Sequence, residues 1–179
     1  DRSQYQDTVG QDCRFAAEWL RQTGIFEAEN IGGASCFFPE KTVSQGEFIA
    51  MVIKTLNIPA EDNAYDAVSA DTPTWLKPYL AAAIRSGLTA NLPADFQPDA
   101  PITSEDAAVI LQNALDLSIS ADAEMEDQTV AVVAMNVMAD HGVNLPAGAV
   151  LTRADAAQVL YRVSQLSQFA PGMSVFRMQ

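Results

Sequence analysis

A single histidine and only two cysteines stand among the 179 residues, so neither a Ser-His-Asp or Cys-His arrangement nor a histidine-based metal centre can be assembled from this chain. His141, directly before Gly142, reads as a helix-end residue favoured by the partial negative charge of a last turn. Positive charge is also sparse. Ten Lys and Arg face 23 Asp and Glu, a formal charge of -13, which repels nucleic acid and anionic lipid and makes neither an expected partner. No apolar run approaches the ~20 residues that span a bilayer, so no membrane insertion is expected. The opening "DRSQYQDTVG" lacks the basic-then-apolar layout of a signal peptide, which fits a chain soluble inside a cell, a processed chain or a segment of a longer one. No glycine-rich phosphate loop appears. The acidic groups Asp62, Asp66 and Asp71, or Glu124, Glu126 and Asp127, lack the alternating ligands, glycine and closing glutamate of a calcium loop and read as charged surface. No metal, no cofactor and no enzymatic activity is expected.

Cys13 and Cys36 fit neither a CxxC redox motif nor a zinc site. They are two thiols or one bridge; a bridge would close a loop of about 20 residues and stabilise the chain by roughly 3 kcal/mol.

What the chain does have is apolar residues, 49% of the total, enough to fill a core, and a repeated pattern that uses them. Ser44, Thr103 and Thr152 are each followed three positions later by an acid, Glu47, Asp106 and Asp155. A hydroxyl that accepts from a free backbone N–H, with an acid reaching back, is a helix-starting capping box. Apolar or small residues then recur at helical spacing: Phe48, Ile49 and Val52; Ala107, Ala108 and Leu111; Ala156, Ala157 and Leu160. Upstream of each cap a second helical pattern ends at a glycine, Gly24, Gly87 or Gly142, followed by Ile25, Leu88 or Val143, as a left-handed helix stop requires. Pro73 and Pro78 fit a helix start around Trp75. Trp19 and Trp75 lie on the apolar stripes of their helices and read as core rather than as sugar-stacking rings. Residues 59–63 and 118–122 read as linkers. No strand of useful length appears. The unit is helix, glycine stop, loop and capped helix, and three units, 1–60, 61–120 and 121–179, make one compact domain.

These residues resemble the S-layer homology module of bacterial cell-surface proteins, normally found as three tandem copies. The second copy carries the likeness most fully, in "YDAVSADTPTWLKPYLAAAIRSGL" and "FQPDAPITSEDAAVILQNAL"; the third adds "LTRADAAQVL", close to the family's Thr-Arg-Ala-Glu helix start. The resemblance implies an all-α, pseudo-threefold fold, with three helix-loop-helix units around a central bundle of the capped helices. It implies an extracellular place at the bacterial wall or S-layer, and a secondary wall polysaccharide, pyruvylated or otherwise anionic, held in grooves between units. The motif arginine would face the anionic sugar with its always-charged, planar fork. Here that arginine is Arg153, flanked by Thr152 and Asp155 of the cap, while Gln45 and Ser104 take its place in the other copies. Lys41 and Arg85 are further cation candidates by position alone. The family's Gly-Tyr-x-Asp-Gly loop is not recognisable in "TANLPAD" or "NLPAG". With Gln45 and Ser104 in place of arginines, the rival reading is a degenerate module for assembly with other surface proteins, or a spacer. Without the likeness, Arg153 would be a solvated first residue of a helix, where a cation opposes the macrodipole.

Overall fold

A computed structural model describes residues 4–60, 67–93, 97–117 and 130–169. Among them are six α-helices: α1 (Arg14–Gln22), α2 (Gln45–Thr55), α3 (Lys77–Arg85), α4 (Ser104–Ala114), α5 (Val130–Asp140) and α6 (Arg153–Phe169). One small antiparallel hairpin joins β1 (Asn30–Ile31) to β2 (Ala34–Ser35). The fold is all-α, as expected. Residues 61–63 of the first expected linker, all of the second (118–122), the acids Asp62, Asp66, Glu124, Glu126 and Asp127, and the Tyr65-Asp66 start of the expected second copy lie outside the described residues.

The three hydroxyls cap α2, α4 and α6. Ser44 Oγ accepts from Glu47 N at 3.1 Å, Thr103 Oγ1 from Asp106 N at 3.1 Å and Thr152 Oγ1 from Asp155 N at 3.2 Å. Asp155 Oδ2 completes the box by accepting from Thr152 N at 3.1 Å. Each such cap contributes about 1 kcal/mol. The nine stripe residues named above are all fully buried in one core. The stop glycines behave alike. Gly24, Gly87 and Gly142 take φ of 75°, 78° and 80°, and the buried residue after each donates back to the preceding helix: Ile25 to Leu20, Leu88 to Ala83 and Val143 to Met138. Asn57 and Asp116 reverse the chain after α2 and α4 in the same left-handed region, without the glycine that would mark it in sequence.

The short extended segments before the caps meet in a closed ring. Val43 N donates to Leu151 O at 3.0 Å, Leu151 N to Ile102 O at 3.0 Å, and Ile102 N to Val43 O at 2.9 Å. All three side chains are fully buried. A second tier one step outward closes the same three segments in the opposite sense: Gln45 N to Ala100 O, Ser104 N to Ala149 O, and Arg153 N to Lys41 O, at 2.8–2.9 Å. The outer helices follow the same cycle. α3 packs on α2, α5 on α4, and α1 on α6, so each outer helix rests mainly on the capped helix that precedes it around the ring. Phe15 and Trp19 of α1 both meet Tyr161 of α6 edge-on, at 5.1 and 5.4 Å.

One expectation needs correction. Trp75 is not core: it lies in the turn before α3 and is 52% exposed, because α3 starts only at Lys77 and its inward stripe begins with the buried Leu76. Of the two states left open for the cysteines, the structure has free thiols at both Cys13 and Cys36. Cys13 is buried at the start of α1, whereas Cys36 is half-buried at the base of the hairpin.

The ring demands close approach at Gly46, whose N–H donates to Pro98 O at 3.0 Å. A Cβ there would lie 2.7 Å from Leu76 Cδ2 and 3.2 Å from Pro98 Cβ, and Leu76 is fully buried. Gly46→Ala is therefore expected to lower stability by about 1 kcal/mol or more, overpacking outweighing the gain in helix propensity. A urea midpoint at or above that of the parent protein would contradict this.

A candidate binding site at the start of α6

The first residue of each capped helix points its side chain at the loop before the next capped helix around the ring. Gln45 Oε1 accepts from Gln97 N at 3.0 Å, and Ser104 Oγ donates to Pro146 O. Arg153 does the same toward the loop between α1 and α2, but with a longer reach. Its Nη1 donates to Phe37 O at 2.8 Å and to Glu29 Oε2 at 2.6 Å, and its Nη2 to Glu29 Oε1 at 3.0 Å. The guanidinium lies 5.0 Å from the centre of the Phe26 ring. Only 5% of Arg153 is exposed. It is the first residue of α6, as expected, but it is a buried cation with an internal partner rather than a solvated one. The Glu29 carboxylate offsets the unfavourable placement of a cation at a helix N-terminus.

The loop that presents Glu29 is itself held firmly. Tyr5 Oη accepts from Ala28 N at 3.0 Å, and burial pushes that phenol above its ordinary range. Asp7 accepts from Phe37 N and Phe38 N, both at 2.8 Å. The Phe37 ring is fully buried against Tyr5 and Phe26. Glu29 O accepts from Cys36 N at 3.0 Å, which closes the base of the hairpin. Gly32 and Gly33, both at positive φ, make its turn.

Of the expected site residues, the structure brings Arg153, Lys41, Thr152 and Asp155 together. Lys41 Nζ shares the Glu29 carboxylate at 3.1 Å and remains 57% exposed; its backbone carbonyl receives the Arg153 N–H. Thr152 and Asp155 are engaged in the α6 cap. Arg85 lies elsewhere, at the end of α3, donating to Pro59 O at 3.0 Å beside a cleft of about 490 Å³ between the ends of α2, α3 and α4. His141 closes α5, with Nδ1 2.8 Å from Val137 O. Beside Lys41, a cleft of about 620 Å³ runs along Phe38, Pro39 and Asp7 to Gln11, where a second cleft of about 540 Å³ continues along α1 past Phe15 and Trp19. Glu29 was missed in the sequence because no motif contains it. The Gly-Gly pair between Ile31 and Ala34 was the one signal for the hairpin that carries it.

Chemically, the arrangement is a guanidinium fork that grips a carboxylate through two parallel hydrogen bonds, with an ammonium on its rim. The Glu29 carboxyl is held at about 2, below its ordinary 4.5, chiefly by Arg153, with burial opposing and Lys41 assisting.

Comparison with known proteins locates a family resemblance in the middle of the chain. Residues 66–108, from before α3 into the first turns of α4, match the S-layer homology domain. An exoglucanase, XynX, of Acetivibrio thermocellus is 29% identical over 149 residues, covering 72% of this chain and 13% of the relative. An amylopullulanase of Thermoanaerobacterium thermosulfurigenes is 28% identical over 149 residues, covering 72% of this chain and 8% of the relative. The chain thus spans only a small part of the length of these curated relatives.

Because its carboxyl is depressed on folding, Glu29 contributes stability that is fully present above about pH 4.5 and is lost as the pH falls toward 2. Glu29→Gln is expected to be less stable than the parent protein at neutral pH, with the difference in urea midpoint closing over that acidic range. A difference that stays constant from pH 5 to 2.5 would contradict the pairing.

Proposed function

We propose that this chain is a non-catalytic module of three degenerate S-layer homology copies, 1–60, 61–120 and 121–179, which holds a protein at the bacterial wall or S-layer by binding an anionic secondary wall polysaccharide in grooves between copies. The observation that carries this reading is the S-layer homology match at residues 66–108, on a chain whose three capped helix starts are tied into one ring. Similarity to an exoglucanase and an amylopullulanase over 13% and 8% of their lengths suits an accessory segment shared by larger proteins. Lys41, exposed at the mouth of the cleft it lines, supplies the first attraction for an acidic sugar, with Arg153 beneath it and the Thr152–Asp155 cap fixing the helix that carries the arginine. Arg85 gives the cleft between the ends of α2, α3 and α4 a cation of its own. In so acidic a chain, local cations of this kind are what an anionic polymer needs.

A second reading has a specific observation in its favour. Phe15 is 66% and Trp75 52% exposed, and large apolar side chains on a surface suit a protein partner; under that reading the module serves assembly or spacing. Co-sedimentation with bacterial wall sacculi separates the two. Binding to native sacculi, loss of binding on acid-stripped sacculi that lack secondary polysaccharide, and binding weakened several-fold by Lys41→Glu are expected. No binding to native sacculi, with dimerisation that Phe15→Ser abolishes, would favour the assembly reading.

A further inference from the structure

Phe15 and Trp19 stand four positions apart on α1 and so share one of its faces. Both rings meet Tyr161 of α6 edge-on, at interplanar angles of 78° and 77°, and the Tyr161 hydroxyl accepts from Gln165 Nε2 at 3.3 Å. One tyrosine thus holds two aromatic rings in place, which leaves them little rotamer freedom to lose when a ligand arrives. Core packing does not account for both. Trp19 is half-buried against the core, but Phe15 is 66% exposed, and the two line the cleft of about 540 Å³ along α1, a volume within the ~300–1,000 Å³ of small-ligand sites. The rest of the lining is polar but carries no spare charge. Arg21 is paired with Glu18, Arg14 donates to Gln4 Oε1 at 2.9 Å, and the two guanidinium groups balance the carboxylates of Asp12 and Glu18. Three side-chain amides, Gln4, Gln11 and Gln22, complete it. A primary amide both donates and accepts, as a hydroxyl does.

We propose that this face of α1 is a stacking platform for neutral pyranose rings, with Phe15 and Trp19 under the apolar C–H face of the sugar and the surrounding amides and carboxylates on its hydroxyls. The lining selects that chemistry. The negative face of an aromatic ring attracts C–H groups, and the rim matches hydroxyls that donate and accept in turn. An anion gains little here, because Arg14 and Arg21 already have internal partners and the cleft's charges cancel. An apolar peptide side chain would cover the rings but strip water from the amides without returning their hydrogen bonds. The platform differs in ligand chemistry from the cleft at Lys41 and adjoins it at Gln11, which lines both. A single glycan laid along the two would meet Lys41 with an acidic unit and α1 with neutral ones. That such a glycan belongs to the wall rests on the function proposed above; the platform itself does not.

Trp19 reports on the platform directly once the other tryptophan is removed by Trp75→Phe. In that background, titration with cellotetraose, chitotetraose and maltotetraose, all neutral, is expected to shift the Trp19 emission with at least one of them in the millimolar range. The shift is expected to be as strong in ~500 mM as in ~50 mM sodium chloride, since no ion pair forms. Phe15→Ala is expected to weaken that binding about fivefold or more, and Phe15→Tyr to restore it. If Phe15→Ala does not fold, Phe15→Leu, which keeps an apolar contact for Tyr161 but no ring, takes its place. No shift with any of the three sugars, a shift undiminished by loss of the Phe15 ring, or a shift lost in high salt would overturn the proposal. Tighter binding of a decaproline peptide than of any sugar would also overturn it and give the face to a protein partner. Tetrasaccharide binding without sacculus binding keeps the platform and removes the wall; sacculus binding with none of the three sugars bound removes the platform and keeps the anchor.

Discussion

Three backbone hydrogen bonds, from Val43 to Leu151, Leu151 to Ile102 and Ile102 to Val43, decide where nearly everything else in the chain lies. They join segments that are far apart in sequence, and they do so in the dry centre of the core, where an unpaired peptide group would cost ~1 to 3 kcal/mol. Each residue of the ring both donates and accepts, so no one segment can leave without orphaning groups on the other two. The caps start the three central helices immediately after the ring, which fixes the helices' directions and brings their apolar stripes together.

The same ring explains why the residue after each cap has different chemistry. That residue points at the loop before the next capped helix around the ring, and the three loops differ in content. Gln45 and Ser104 reach backbone groups close at hand. Among the described residues only the loop between α1 and α2 carries a hairpin, and of the three only Arg153 is long enough to cross to it and meet a carboxylate there. An arginine with no carboxylate opposite would be a buried unpaired charge, so Arg153 and Glu29 make sense together and neither does alone. The pair ties the start of α6 to the loop between α1 and α2, and it places a charged contact next to an open cleft with Lys41 on its rim.

Local features were legible in the sequence. Cap hydroxyls, stripes at helical spacing and stop glycines depend on residues within a few positions of one another, and Ser44, Thr103, Thr152, Gly24, Gly87 and Gly142 behave as their neighbours dictate. The cyclic packing of outer helices on preceding capped helices was not legible, since nothing local says which of three similar stripes α1 will meet; Tyr161 meeting Phe15 and Trp19 is a tertiary outcome. Trp75 misled because the helical pattern runs on upstream of the point where α3 begins. Arg153 stood out in the sequence as the charged exception, but its partner is 124 positions away. Family likeness predicted an external anion for it, and the chain supplies an internal one.

Amide hydrogen exchange at Val43, Ile102 and Leu151 tests the closed ring most directly. If the ring holds the three segments as one unit, these amides exchange only through global unfolding, with one shared free energy that equals the stability measured by denaturant. Exchange of any one of them through a local opening, while the other two stay protected, would contradict it.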